Sequence, residues 1–172
     1  MVSAKKISDY LTGSGRKTTS ETVENYIKML ENAFIFYHIG RYDIKGKQRL
    51  KTQGKHNIVD IGIRNELSGE RGQDYGSVLE NIVYLELLRR GYNISIGRFN
   101  NLEIDFVASK PDERLYVQVT ATMLDETTRE RELKPLSQIP DNYRKIILSM
   151  DKSVFRDYEG ITNEYLLDFL LN

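Results

Sequence analysis

The sequence predicts an α/β protein of two modules, and three observations carry that prediction. Apolar residues recur at helical spacing in several segments, as at Val23, Tyr26, Ile27 and Leu30, and again at Leu79, Ile82, Val83 and Leu87. Other segments alternate as strands do, as at Ile35, Tyr37 and Ile39 and through Leu102–Ala108. The charge is also divided. Residues 1–65 hold twelve Lys and Arg against six Asp and Glu, a net of +6; the remainder holds thirteen against nineteen, a net of −6. The expected modules are 1–65 and 73–172, joined by a linker at 66–72.

In chain order, Ser3 to Leu11 reads as a short helix with Ile7, Tyr10 and Leu11 on one side. TGSGRKTTS follows as a turn. Ser20 is placed to cap a second helix running to Asn32. Two helices around a short Gly-containing turn suggest a helix-turn-helix. A strand through Ile35–Ile39, a polar basic stretch at Gly46–Gly54 and an extended return at Lys55–Asp60 form a β-ribbon. Together these elements have the layout of a winged helix. ELSGERGQDYG lacks an apolar period and supplies the linker. A strong helix is expected over Tyr75–Arg90, ended by Gly91. Strands follow at Asn93–Arg98, Leu102–Ala108 and Leu115–Ala121, then a charged helix at Glu126–Gln138, a buried strand at Arg144–Ser149 and a closing helix at Tyr165–Leu171. That order gives a mixed sheet flanked by helices.

The 172-residue chain contains no Cys, which excludes disulfides and thiolate metal sites. No apolar run approaches the ~20 residues that span a bilayer, and MVSAKKISDY has no signal-peptide core. A soluble, cytoplasmic protein is the expectation. His38 and His56 are the only histidines, without a carboxylate at a metal-ligand spacing. With no Cys and so few His, no nucleophilic triad can be assembled.

The chemistry concentrates in NLEIDFVASKPDERLYVQVTAT, residues 101–122. Alternation puts Leu102, Ile104, Phe106 and Ala108 on one face and Glu103 and Asp105 on the other. In the partner strand Tyr116, Gln118, Thr120 and Thr122 share a face. Glu80 lies on the inward side of the preceding helix, where a carboxylate needs a cation, a donor or a proton. This set resembles the PD-(D/E)XK, or restriction-endonuclease-like, family: a Glu on the first core helix, an Asp on a strand, and Glu-X-Lys on the next strand. Glu80 and Asp105 match the first two positions. The third reads Gln118-Val119-Thr120. Gln offers a carbonyl but no charge to Mg²⁺, and Thr120 supplies no cation for a charged transition state. Arg129, Arg131, Lys134 and Lys145 are candidates for a relocated cation. The favoured reading is a degenerate site that supports the fold.

Most of the chain is similar to the C-terminal region of a prokaryotic AAA-type ATPase family of unsettled function. The matching phrases are TTSETVENYIKMLENAFIFYHIGRYDIKGKQRL, KHNIVDIGIRN, GSVLENIVYLELLRRGYNISIGR, EIDFVA, YVQVTATM and DETTRERELKPLSQIPDNYRKIILSMD. The resemblance implies a winged helix followed by a degenerate endonuclease-like domain, with an N-terminal ATPase domain missing from this chain. GSGRKT does not replace that domain. It lacks the spacing and the preceding strand of a phosphate-binding loop, so no ATP hydrolysis is expected from this chain alone.

The cations expected to meet nucleic acid are Lys45, Lys47, Arg49, Lys51 and Lys55 on the ribbon and Lys28 on the second helix. Glu21 and Glu24 on that helix make it a poor reader of the major groove. A solvated Lys-rich ribbon that resists edge pairing is the plain structural alternative. Attraction between the basic and acidic halves, or an acidic protein partner, would also account for the basic charge. The favoured function is non-catalytic nucleic-acid or partner binding. The rivals are a nuclease using Mg²⁺ or Mn²⁺ on Glu80 and Asp105, and a protein-interaction scaffold. No cofactor is expected outside the nuclease reading.

Overall fold

The computed structural model describes residues 3–68, 75–152 and 157–172, with the side chains of residues 52, 53 and 68 left out. Helix α1 (Ala4–Gly13) is capped by Ser3, whose hydroxyl accepts from the Lys6 N–H. Helix α2 (Ser20–Asn32) is capped by Thr19 rather than Ser20, through the Thr22 N–H at 3.1 Å. The hairpin β1 (Phe36–Asp43) and β2 (Gln48–Ile58) follows. Most of the polar stretch 46–54 is thus strand rather than loop. Helix α3 (Ile61–Ser68) takes up residues 66–68 of the expected linker; the rest of it, 69–72, lies outside the described residues. The second half runs α4 (Tyr75–Arg89), β3 (Asn93–Phe99), β4 (Leu102–Lys110), β5 (Glu113–Thr120), α5 (Glu126–Ser137), β6 (Arg144–Ser149), β7 (Asp157–Tyr158), β8 (Ile161–Tyr165) and α6 (Leu166–Leu171). β7, β8 and α3 had no clear signal in the sequence.

All eight described strands form one sheet in the order β2-β1-β3-β4-β5-β6-β8-β7. The ribbon therefore adds to the same sheet as the later strands. β1 runs parallel to β3 through Arg41↔Ile96, Tyr42↔Gly97 and Asp43↔Arg98. β3, β4 and β5 form an antiparallel meander, and β6 lies parallel to β5 after the α5 crossover. One face packs Val117, Val119, Ile146 and Phe106 against α4 and α6. The other packs Ile104, Tyr116 and Ile147 against Leu133 and Leu136 of α5. No helix among the described residues is long and apolar enough to cross a membrane.

Two expected stripes differ. Tyr10 and Tyr26 are 75% and 62% exposed; α1 buries the smaller Ala4 and Ser8 instead, and of the expected α2 stripe Val23 alone is buried. Ile104 and Phe106, expected on one face, belong to opposite cores. The cause is a bulge. From Ser95↔Val107 to Gly97↔Ile104, β3 advances two residues while β4 advances three. The extra residue turns the alternation over between Ile104 and Phe106.

The hairpin carries a larger irregularity. Between Ile39↔Lys55 and Arg41↔Leu50, β1 advances two residues and β2 five. Gly54 makes this possible. A Cβ there would lie 2.0 Å from the Ile39 carbonyl oxygen and 2.7 Å from His38 Nε2. Gly97 has the same role at the β4 bulge, where a Cβ would meet Val107 at 2.8 Å and Ile104 at 2.9 Å. Gly54→Ala and Gly97→Ala are each expected to cost about 1–3 kcal/mol of stability. Gly76→Ala, where a Cβ meets nothing within 4 Å on a helix, should be neutral or mildly stabilising. Denaturant melts of the three variants check this ordering.

Candidate functional site

The two bulges meet at one place. The β2 excess aims Lys55 inward, and its ammonium lies 2.9 Å from Glu103 and 3.6 Å from Glu80. Glu103 also receives Arg41 of β1 at 2.7 Å. The β4 bulge sets Asp105 beside this group. There the ladder between β4 and β5 gives way. Backbone pairing is regular from Lys110↔Glu113 to Phe106↔Val117. Beyond it, side chains bridge the strands: the Asp105 N–H donates to Gln118 Oε1 at 2.7 Å, and the Val119 N–H donates to Asp105 Oδ2 at 2.9 Å.

Gln118 is held at both ends. Its Nε2 donates to Glu132 of α5 at 2.9 Å, and the other oxygen of Glu132 accepts from Arg131 at 2.8 Å. Thr120 turns to the carbonyl of Thr122 at 3.2 Å. Glu80, Asp105 and Gln118 are thus brought together, while Thr120 is bonded within its own strand segment.

The charges act on one another. Burial works against the Lys55 ammonium, but its bond to Glu103 and the charges of Glu80, Glu103 and Asp105 outweigh that and hold its pKa above the ordinary value. Burial pushes Glu103 up, and Lys55 and Arg41 more than reverse it, leaving its pKa lowered. Asp105 goes the other way. Burial first and the Glu80 charge second raise it to about 8, against the pull of the Val119 N–H and Lys55.

Of the four cations proposed from sequence for this pocket, Arg131 reaches Gln118 only through Glu132, and Lys145 and Arg129 sit elsewhere. Lys145 donates to the carbonyls of Ile139 and Asp141, at 2.7 and 3.0 Å. Arg129 lies 3.8 Å from Glu126. Lys134 lines a cavity of about 580 Å³ on the α5 side with Gln118, Glu130 and Glu132. Lys55, expected among the outward cations of the ribbon, supplies the charge instead. Lys45, Lys47, Arg49, Lys51 and Lys28 are exposed. The one local hint of the inward Lys55 is the Gly before it.

The comparisons with known proteins bear on both halves. A model described as a domain of unknown function (DUF8612) matches residues 1–74. An uncharacterized protein of Haemophilus influenzae is 44% identical over 171 residues, covering 99% of this chain and 42% of its own length. An uncharacterized protein of Methanocaldococcus jannaschii is 31% identical over 178 residues, covering 98% of this chain and 39% of its own length. The chain thus spans about two fifths of the curated relatives it matches. No solved structure matches it.

As arranged, the donors fit a divalent ion poorly. The Gln118 carbonyl oxygen already accepts from Asp105, one Asp105 oxygen accepts from Val119, and an ammonium lies against Glu80.

Asp105 makes a pH prediction. Its folded pKa is raised above 3.8 to about 8, so the folded state binds more protons across that window. Its contribution to stability is complete below the unfolded pKa and is lost as pH rises through about 8. Asp105→Asn keeps an acceptor for the Val119 N–H and removes the charge. The variant should gain stability relative to the parent between about pH 5 and pH 9. Denaturant melts at several pH values measure the difference; a constant difference would mean that Asp105 titrates as an ordinary carboxylate.

Proposed function

We propose that this chain is the non-catalytic, nucleic-acid-binding C-terminal region of a longer AAA-type ATPase. In this reading a winged helix carries the basic ribbon, and a PD-(D/E)XK-like core has lost its catalysis. The observation that carries the reading is Lys55. Its amine neutralises Glu80 and Glu103, where an active nuclease would hold a divalent ion. The order of the Glu-bearing helix α4, the Asp-bearing strand β4 and the Gln-bearing strand β5 supports the endonuclease-like part. The sequence resemblance and the greater length of the relatives support the ATPase context.

The binding surface is the ribbon tip. Lys45, Lys47, Arg49 and Lys51 are exposed there, on the edge strand and the turn leading into it. Ile44 anchors that tip. Its side chain is buried in the α5-side core, and its N–H donates to the Arg98 carbonyl at 2.9 Å. A supported, cationic edge meets phosphate without reordering, which reduces the entropic cost of binding.

A second reading takes the same Lys55 amine, 3.6 Å from Glu80, as the relocated cation of a Mg²⁺- or Mn²⁺-dependent nuclease. The two readings part in one experiment. Purified chain is expected to bind duplex DNA and to leave plasmid intact with either metal. Four exposed cations predict a slope of log K against log salt of about −3 to −4, and changing Lys47, Arg49 and Lys51 to Ala should reduce it by roughly 3. Metal-dependent cleavage lost in both Asp105→Ala and Lys55→Met would replace the first reading with the second. Binding indifferent to salt and to the ribbon variant would point to a protein partner.

A further inference from the structure

A cavity of about 1000 Å³ opens between α1, α2, the hairpin and the start of α4. It is separate from the exposed ribbon tip, although β2 contributes to both. We propose that this cavity receives the unpaired bases of a single-stranded nucleic acid whose phosphates run along β2. The inference rests on the nucleic-acid reading above and adds to it the strandedness of the ligand.

Four features of the cavity point to bases. First, one wall is made of rings. Phe36, His38 and His56 line it as neighbours set at an angle to one another, with centroids 6.3 Å apart and planes at 63° for Phe36–His56, and 5.1 Å and 51° for His38–His56. Flat π-faces are the usual platform for bases of any sequence. Second, a donor is waiting. Asn57 lines the cavity, and its buried Nδ2 has no acceptor among the described residues. That atom is closed off as the side chain stands, and a turn of the Asn57 amide toward the cavity would bring it to a base carbonyl or ring nitrogen.

Third, the interior charge is balanced. Lys28, Lys55 and Arg64 face Glu24, Glu31 and Glu80, and Glu31 is bonded to His56 at 2.9 Å. A balanced, polar and ring-lined interior suits a neutral base with donors and acceptors, and does not suit a phosphate. The phosphate charge is matched outside. Lys51 lies on the same strand, at the start of the irregular stretch that ends in Lys55, with Arg49 beyond it. Fourth, the size suits. At about 1000 Å³ the cavity stands at the upper end of small-ligand sites, the scale on which flat, unpaired bases are received.

Fluorescence anisotropy tests this with three labelled oligonucleotides of one length: single-stranded DNA, single-stranded RNA and duplex DNA. The full 172-residue chain is used, with thermal melts of each variant as a control for folding. Phe36→Leu and Asn57→Ala are each expected to weaken single-strand binding about tenfold and to leave duplex binding unchanged. The two single strands report whether deoxyribose or ribose is taken; loss of affinity for either one in both variants supports the cavity. Single-strand affinity unchanged in both variants overturns the proposal, as does an equal loss for duplex in variants that melt like the parent. Changing Lys47, Arg49 and Lys51 to Ala separates the two claims. If that variant weakens every oligonucleotide while the cavity variants weaken none, the ribbon reading stands and the cavity proposal falls. If no oligonucleotide binds the parent chain, both fall.

Discussion

The ammonium of Lys55 is the interaction on which the rest of this architecture depends. Glu80 and Glu103 come from a helix and a strand of the second half, and two carboxylates beside the buried Asp105 in a partly dry pocket would be costly without a cation. Lys55 reaches them from a strand near the start of the chain. It therefore balances charge and fastens the ribbon to the core. Arg41, on the neighbouring strand, adds a second tie to Glu103. The short parallel pairing of β1 with β3 covers only three residue pairs, so these side-chain ties bear more on the ribbon's seat than they would beside a long ladder.

Both partners reach that meeting point by breaking strand regularity. Bulges re-aim side chains where a regular pleat would send them elsewhere. Here one extra residue in β4 and three in β2 bring Asp105 and Lys55 to the same pocket. Each bulge needs a glycine against its neighbour strand, Gly97 in one case and Gly54 in the other. The site is thus encoded as much by two missing Cβ atoms as by its charged residues. At the same point β4 and β5 exchange backbone bonds for bonds through Asp105 and Gln118. The fork keeps the Asp105 and Val119 N–H groups bonded, and its polar side chains become part of the sheet.

This explains what could be read in the sequence and what could not. The helix at Tyr75–Arg89 and the strand at Arg144–Ser149 follow from local apolar period, and periodicity is a property of neighbours along the chain. Glu80 and Asp105 could be paired because each lies on an element with a clear period. The face of Ile104 relative to Phe106 could not be read, because a bulge is set by the register of a partner strand and leaves no mark on composition. Lys55 was visible only as one more ribbon cation. Its inward turn depends on contacts with residues 25 and 48 positions away, and only Gly54 beside it hints at a backbone approach.

The division of charge takes on a specific meaning once these ties are placed. Attraction between a basic and an acidic half was one plain account of the +6 and −6 split, and Arg41 and Lys55 bonded to Glu80 and Glu103 realise part of it. Those pairs neutralise the root of the ribbon, where it meets the core. They do not reach Lys45, Lys47, Arg49 and Lys51 at its exposed end. Arg41 pairs across the hairpin with Leu50, between Arg49 and Lys51, so the neutralised root passes directly into the cationic edge. A chain that is neutral in sum therefore keeps a cationic edge. That edge is seated on the core because the other cations of the same ribbon are bound to the acids beneath it.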